Sequence, residues 1–156
     1  MSNVWRRVLL TGVAAGAAAM VVGAASVSHA GASVNDHEFV LFETTTDRAT
    51  VDVDGSGTST PGDEFLFRSV LTTPGGADAG SVDGHCTVLM AGQSLCHSVA
   101  TLRRGTLSTT FVAAAGAATL HISIDGGTGG LDRARGQITA VRATQTAFRE
   151  VFDIDR

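Results

Sequence analysis

The chain has 156 residues, with 11 arginines and no lysine, 15 acidic residues and a formal net charge of −4 at pH 7. An acidic chain without a basic cluster is poorly suited to binding nucleic acid or an anionic membrane surface. We therefore expect no nucleic acid and no membrane among the partners of the folded domain.

The first thirty residues have the layout of a secretory signal peptide. Arg6 and Arg7 precede an uncharged apolar stretch. Ser28 and Ala30 then place small residues at the two positions that a signal peptidase recognises, which predicts cleavage after Ala30. The stretch is also long enough for a retained membrane anchor, although its many alanines and glycines make it weakly hydrophobic. We predict a signal peptide over residues 1–30 and a secreted, extracellular protein with one domain over residues 31–156.

Helical periodicity is nearly absent after residue 30, where short runs rich in Val, Phe, Thr, Leu and Ile alternate with Gly, Asp and Ser clusters. This pattern is typical of a meander of strands. We predict an all-β fold, an eight-stranded antiparallel up-and-down β-barrel without open edges, with a β-sandwich as the alternative. The absence of Trp and Tyr after residue 30 argues against an outer-membrane barrel with aromatic girdles. The predicted strands are 37–46, 63–73, 80–90, 94–103, 105–113, 117–125, 136–145 and 147–154.

The first predicted strand carries an acidic residue in an apolar series. Phe39, Leu41 and Glu43 follow one another at two-residue spacing, which places them together on the inward face. A carboxylate inside an apolar barrel loses hydration, so its pKa should rise, and such a group can polarise a substrate or move a proton. A register shifted by one residue would instead leave Glu43 in solvent beside Thr44, and both alternatives stay open.

The longest predicted loop follows the first strand and is similar to the start of a calcium-binding loop. Asp52, Asp54 and Ser56 alternate before Gly57, and Asp63 stands at the twelfth position. Ser at the fifth position and Asp rather than Glu at the twelfth depart from the full pattern, and Asp and Gly also form ordinary turns. We predict no metal site.

The hairpin over residues 80–103 carries the only two cysteines. If Cys86 opposes Cys96, then His85 opposes His97 on the other face. Directly opposed residues bring their Cβ atoms to about 4.5–5.5 Å, near disulfide reach, and an even pair in a secreted chain is typical of a disulfide. We predict a Cys86–Cys96 disulfide that fixes the register inside the barrel.

The histidines of this hairpin are predicted to face outward. His121 has the same outward parity two strands away from His85 and His97. Three histidines are enough for a catalytic zinc site, but no geometry joins the third to the other two. The alternative is an exposed or interface pair that makes assembly sensitive to pH, because histidine titrates near pH 6.5.

The run Gly126–Gly136, G-G-T-G-x-x-x-x-A-R-G, is predicted to form a sharp glycine turn into the seventh strand. Such a run late in a short strand-rich chain resembles the allene oxide cyclase and dirigent protein superfamily. Further matches are residues 41–48 in the first strand, G-D-x-x-x-F over residues 62–67, and Gly-x-Cys over residues 84–86. The resemblance implies a small eight-stranded barrel that binds a hydrophobic molecule without a cofactor, and it allows for a homotrimer.

The resemblance also implies where the site lies. Glu43 matches a cavity-lining Glu of allene oxide cyclases, and Thr45 stands where those proteins have Asn. We take Glu43 and Thr45 as the candidate catalytic residues. The candidate substrate-binding residues are Phe39, Leu41, Phe65, Phe67, Val88 and Phe111.

Three functions remain open from the sequence. The resemblance implies a cofactor-free cyclase or isomerase that holds one conformer of a hydrophobic molecule and steers its stereoselective cyclisation or coupling. The alternative is a non-catalytic barrel that binds a small molecule or lipid, with Glu43 only orienting the ligand. A third is a secreted structural or interaction protein whose barrel is filled by its own side chains.

Overall fold

The computed structural model describes residues 38–155, so the predicted signal peptide over residues 1–30 lies outside the described residues. The described part forms eight antiparallel strands that close into a barrel. This confirms the predicted fold class and excludes the sandwich for these residues. The strands are β1 (Glu38–Val51), β2 (Glu64–Thr72), β3 (Asp78–Val88), β4 (Gln93–Leu102), β5 (Gly105–Ala114), β6 (Thr119–Gly127), β7 (Arg135–Arg142) and β8 (Ala147–Asp155).

The barrel closes because each strand pairs with its neighbour in the chain and β8 returns to β1. In that last pair Leu41 lies opposite Glu150 and Phe39 lies opposite Phe152. The rings of Phe39 and Phe152 stack with their centroids 4.6 Å apart, which ties the first strand to the last on the inner face of the barrel. Closure gives every described strand a partner on both sides, although the β5–β6 ladder is short and ends at the Thr110–Ser123 pair.

The β3–β4 hairpin has the predicted register. Cys86 pairs with Cys96 and His85 pairs with His97, as expected. Cys86 and Cys96 form a disulfide, with their Cα atoms 4.0 Å apart. Both cysteines are buried in the lumen. The cross-link therefore joins two strands from the inside, where a slip of either strand by one residue would turn its sulfur outward and prevent the bond.

The first strand contains a β-bulge that sequence alternation did not indicate. The register between β1 and β2 shifts between Thr45 and Asp47, so Thr46 is the extra residue. Because a bulge reverses the in–out alternation beyond it, Arg48 lies on the lumen side although its number has the opposite parity to Glu43. The strand also continues to Val51, five residues past its predicted end.

The glycine run between β6 and β7 forms the predicted tight connection. A short 3-10 helix spans Gly129–Leu131, and Gly129 has a φ of 61°. A Cβ atom on Gly136 would collide with the carbonyl oxygen of Asp153 on β8. Glycine is thus required here for both a left-handed turn and a close backbone approach.

The apolar core crosses the middle of the lumen as a belt. Leu71, Leu107 and Phe152 are completely buried within it. Burying one such side chain contributes about 1.5–3 kcal/mol relative to leaving it exposed. The remaining buried apolar members are Leu41, Val82, Ala100, Ile122, Ile124, Leu131, Ala134, Ile138, Ala140 and Ile154. The belt leaves open space toward both ends of the barrel.

Candidate functional site

A cavity of about 430 Å³ opens at the end of the barrel that carries the β1–β2, β3–β4, β5–β6 and β7–β8 connections. A volume of this size is within the range of small-molecule sites in proteins. Its walls are mainly apolar, and Phe152 of the core belt forms part of its floor. The third function weighed from the sequence, a barrel filled by its own side chains, is therefore difficult to reconcile with this end of the lumen.

Glu43 lies on the wall of this cavity. The strand pairing places it opposite Phe148 of β8 and opposite Leu71 of β2, and its side chain is half-buried. The inward orientation favoured by the Phe39–Leu41–Glu43 spacing is thus the one that the structure has. Its catalytic role stays a prediction, since position alone does not demonstrate chemistry.

Glu150 is a second carboxyl on the same wall, and sequence reasoning missed it. Its side chain lines the cavity and it is only 3% exposed. It lies opposite Leu41, two residues along β1 from Glu43, which makes the two glutamates diagonal neighbours on the inward face. The sequence carried a signal, because Phe148, Glu150 and Phe152 follow the same two-residue alternation that pointed to Glu43.

The pKa of Glu150 is raised well above the ordinary value of 4.5. Burial is the main cause, because a carboxylate loses its hydration in the lumen. The negative charge of Glu43 and a hydrogen bond between the two carboxyl groups raise the pKa further. Two such carboxyls hold one proton between them more readily than they ionise together. The pair can therefore present a neutral acid and a carboxylate side by side.

Thr45, the other candidate catalytic residue, lies on the same strand nearer the mouth. Its hydroxyl lines the cavity and accepts a weak hydrogen bond from the fully buried Ser69, at 3.4 Å between the oxygens. Across the lumen, the hydroxyls of Ser98 and Thr109 are 2.7 Å apart. These hydroxyls add a few polar points to an otherwise apolar wall, as is usual for sites that orient a small molecule.

The candidate substrate-binding residues divide between the two ends of the barrel. Phe65, Phe67, Val88 and Phe111 line the cavity that contains Glu43 and Thr45. Phe39 and Leu41 instead line a separate cavity at the opposite end. The two-residue alternation gave the right face for all six but did not give the height along the barrel axis, which depends on strand tilt.

The ring of Phe67 has its place because of a glycine on the next strand. Phe67 pairs with Gly84, and a Cβ atom there would overlap the ring. The Gly-x-Cys pattern thus has two structural consequences in the lumen, room for an aromatic ring and a buried sulfur at Cys86. Both disulfide sulfurs belong to residues of the cavity wall, and both serve to hold β3 against β4.

Two arginines mark the mouth of the cavity. The guanidinium of Arg48 lies 5.6 Å from the centre of the Phe65 ring, and that of Arg142 lies 4.9 Å from the centre of the Phe148 ring. Such distances allow cation–π attraction. Arg48 was missed because the β1 bulge reverses the alternation, whereas Arg142 stands at the very end of β7.

The acidic loop between β1 and β2 brings together the carboxylates of the calcium-like pattern. Oxygen atoms of Asp52, Asp54 and Asp63 lie within 4.8 Å of one another. These oxygens accept hydrogen bonds from the loop itself, including the backbone N–H groups of Gly55 and Gly57 to Asp52. The carboxylates thus hold the loop together as Asx turns do, and their hydrogen bonds within the loop account for their closeness without a cation.

The histidines lie on the outer surface of the barrel. The rings of His85 and His97 stack at a centroid distance of 5.6 Å, and Nδ1 of His97 is 3.0 Å from the hydroxyl of Thr110. The side chain of His121 instead forms a hydrogen bond with that of Gln137, whose Nε2 is 3.0 Å from Nδ1 of His121. Within residues 38–155, His121 does not belong to any cluster of metal-ligating residues with the other two.

Solved structures with the same fold include several small-molecule enzymes. A pyocyanin demethylase superposes with a TM-score of 0.65 at 21% identity, covering 76% of this chain and 99% of its own. The Diels Alderase AbmU from Streptomyces koyangensis gives a TM-score of 0.59 at 18% identity, covering 76% of this chain and 64% of its own. The pterocarpan synthase dirigent protein GePTS1 gives 0.57 at 17% identity, covering 75% of this chain and 83% of its own.

These comparisons show that the chain has a barrel fold shared with dirigent and cyclase proteins. At such identities the likeness extends to the fold and not to a reaction. No protein-family model matches the sequence, and no curated protein sequence matches it. Over residues 38–155, no helix is long and apolar enough to cross a membrane.

Proposed function

We propose that this protein is a secreted, cofactor-free barrel that binds a hydrophobic small molecule in the 430 Å³ cavity and steers its stereoselective cyclisation or coupling, as allene oxide cyclase and dirigent proteins do. The observation that carries the proposal is the pair of carboxyls, Glu43 and Glu150, on the wall of a mainly apolar cavity. The fold shared with a Diels Alderase and a dirigent protein supports it.

The mechanism divides between shape and proton transfer. The apolar wall holds one conformer of the substrate so that its reacting ends meet. The entropy cost of bringing those ends together is then met when the substrate binds, and it no longer adds to the barrier of the reaction. The neutral carboxyl of Glu150 transfers its proton to a substrate oxygen as charge develops there. The carboxylate of Glu43 accepts the proton that the rearranged product releases. The acid pair thus regains the proton it gave, and no external reagent is consumed.

The experiment exploits the fact that an intramolecular cyclisation leaves the mass unchanged. The purified protein is incubated with an extract of the culture medium of its source organism, and compounds that change retention time without changing mass are sought by chromatography and mass spectrometry. We expect E150Q and E43Q to lose at least about tenfold in the rate of such a conversion, because Gln keeps the shape but transfers no proton. E38Q, an outward-facing change on the same strand, is the matched control.

The outcomes separate the open alternatives. A conversion that E150Q and E43Q slow and E38Q leaves intact supports the cyclase. A compound that co-purifies with the protein and binds all variants equally, without conversion, would establish the non-catalytic small-molecule or lipid carrier instead. Conversion at the wild-type rate in E150Q would overturn the proton-transfer role while leaving the binding cavity in place. The same purification on a sizing column tests the homotrimer that the resemblance implies.

A further inference from the structure

A second cavity, of about 360 Å³, lies at the opposite end of the barrel. It is bordered by the β2–β3 and β4–β5 turns and by the beginning of β1. Within residues 38–155, none of its lining residues also lines the first cavity. The stacked rings of Phe39 and Phe152 lie between the two spaces, because Phe39 faces the second cavity and Phe152 faces the first. A ligand here would therefore be independent of the acid pair.

The inner surface of this cavity is apolar. Except for Ala77 in the exposed β2–β3 turn, its apolar residues belong to the core belt or pack directly against it, so the barrel holds them rigidly. A rigid apolar pocket of a few hundred Å³ is a typical small-molecule site. The apolar lining consists of Phe39, Leu41, Ala77, Ala79, Leu102, Leu131 and Ile154.

The rim of the second cavity carries an excess of positive charge. Arg103 and Arg104 form the exposed β4–β5 turn, and within the described residues neither makes an ion pair with a carboxylate. Arg103 bends toward the rim, where its Nη2 lies 3.5 Å from the carbonyl oxygen of Asp78. The carboxylate of Asp78 is the one negative group among the lining residues, against the two guanidiniums.

A hydroxyl completes the rim. Oγ1 of Thr73 accepts a hydrogen bond from the backbone N–H of Ala77 at 3.1 Å. Its own proton is not donated to any other described atom. The half-buried Thr73 can therefore donate to a ligand oxygen beside the arginine turn. Guanidiniums with a nearby hydroxyl donor are well matched to the oxygens of a carboxylate or sulfonate.

We propose that the second cavity binds a hydrophobic anion, a small aromatic or aliphatic molecule with one carboxylate or sulfonate group. The apolar part lies against Leu102 and Leu131, and the anionic group lies at the Arg103–Arg104 turn. Because the walls are apolar and the rim is cationic, the ligand is oriented with its anionic group toward the rim. The site does not depend on the proposed cyclase activity.

Two matched fluorescent probes test this site in the full chain. 8-Anilinonaphthalene-1-sulfonate carries the anionic group, and N-phenyl-1-naphthylamine has the same aromatic skeleton without it. We expect the sulfonate to shift the backbone amide signals of Ala79, Leu102 and Leu131 saturably in NMR spectra. The double variant R103Q/R104Q should weaken that binding by about tenfold or more, and it should change the affinity of the uncharged probe less than about twofold.

R133Q/R149Q is the matched control, because it removes the same charge from exposed arginines that do not line the cavity. Added salt should weaken binding of the sulfonate more than binding of the uncharged probe. The proposal fails if the sulfonate produces no saturable shift at those three amides. It also fails if the control weakens binding as much as R103Q/R104Q, or if both probes lose affinity equally in R103Q/R104Q.

Discussion

Two acidic residues of this barrel are equally shielded from solvent, but their pKa values are shifted in opposite directions. Asp63, at the end of the β1–β2 loop, and Glu150, inside the lumen, are each 3% exposed. The pKa of Asp63 is lowered from its ordinary value of 3.8, whereas that of Glu150 is raised well above 4.5. Exposure alone therefore does not decide the protonation state of a carboxyl in this molecule.

The difference lies in what surrounds each carboxyl. Asp63 accepts hydrogen bonds from the backbone N–H groups of Thr60, at 2.7 Å, and of Val53, at 2.9 Å. These donors favour the ionised form and outweigh the desolvation by a single covering loop. Glu150 lies deep in the lumen, where burial is the largest influence and its neighbour Glu43 carries the same sign of charge. Backbone donors stabilise the ionised form of Asp63, whereas burial in the lumen destabilises the ionised form of Glu150.

The contrast separates a structural carboxylate from a chemically available acid. Asp63 is fully occupied in holding the loop, and ionisation strengthens that role. Glu150 keeps its proton beside an apolar cavity, which is where a general acid is useful. Substitutions at Glu150, Asp63 and Glu43 test whether this distinction is real.

Replacing Glu150 with Gln should raise the thermal stability of the protein at neutral pH by about 3 °C or more. A raised folded-state pKa means that the native state holds more protons than the unfolded one above pH 4.5, so wild-type stability falls as pH rises through that region. E150Q removes this loss, so its stability should depend less on pH than that of the wild type. Thermal unfolding between pH 4 and pH 8 measures it.

The control for this measurement is E38Q, whose residue is exposed on the outside of β1. It should follow the wild-type pH dependence. Parallel stability curves for the wild type and E150Q across the whole pH range would show that burial in the lumen does not perturb Glu150, and the contrast with Asp63 would disappear.

Most of the architecture could be predicted from the sequence, because the strands alternate regularly and turns separate them. The Cys86–Cys96 register followed from two residues and the geometry of an antiparallel pair. The extension of β1 to Val51 was missed because a bulge at Thr46 interrupts the alternation. A bulge leaves little trace in a single sequence when its residues are threonines and charged groups.

The site was predicted only in part. The alternation that pointed to Glu43 also contains Glu150, and the step that sequence reasoning lacked was to compare the first strand with the last. Their diagonal contact depends on barrel closure and on the β1–β8 register. The division of Phe39 from Phe65 between two cavities depends on strand tilt, a three-dimensional property that local patterns do not encode.

Replacing Asp63 with Asn should lower the melting temperature at neutral pH by roughly 2 °C. The amide keeps one acceptor oxygen but turns an NH₂ group toward the N–H of Val53 or Thr60. Because the pKa of Asp63 is lowered, its stabilising effect is complete above the ordinary value of 3.8 and is lost as pH falls through the lowered value. Unfolding curves of D63N and the wild type should therefore converge in acid.

The matched control is D153N, an exposed outward-facing change on β8 that should leave the melting temperature nearly unchanged. If D63N were as stable as D153N at neutral pH, the backbone hydrogen bonds of Asp63 would contribute little. A constant difference between D63N and the wild type down to strong acid would mean that the effect does not arise from ionisation.

Replacing Glu43 with Gln should lower the pKa of Glu150 without returning it to 4.5. The variant removes the charge of Glu43, which is a secondary cause of the shift, and leaves the burial of Glu150, which is the first. Carbon-13 NMR of the glutamate carboxyl carbons across a pH titration measures this directly. An unchanged pKa would show that the two carboxyls are not coupled, and the shared proton would have to be abandoned. A return to 4.5 would show that the pairing, and not the lumen, distinguishes Glu150 from Asp63.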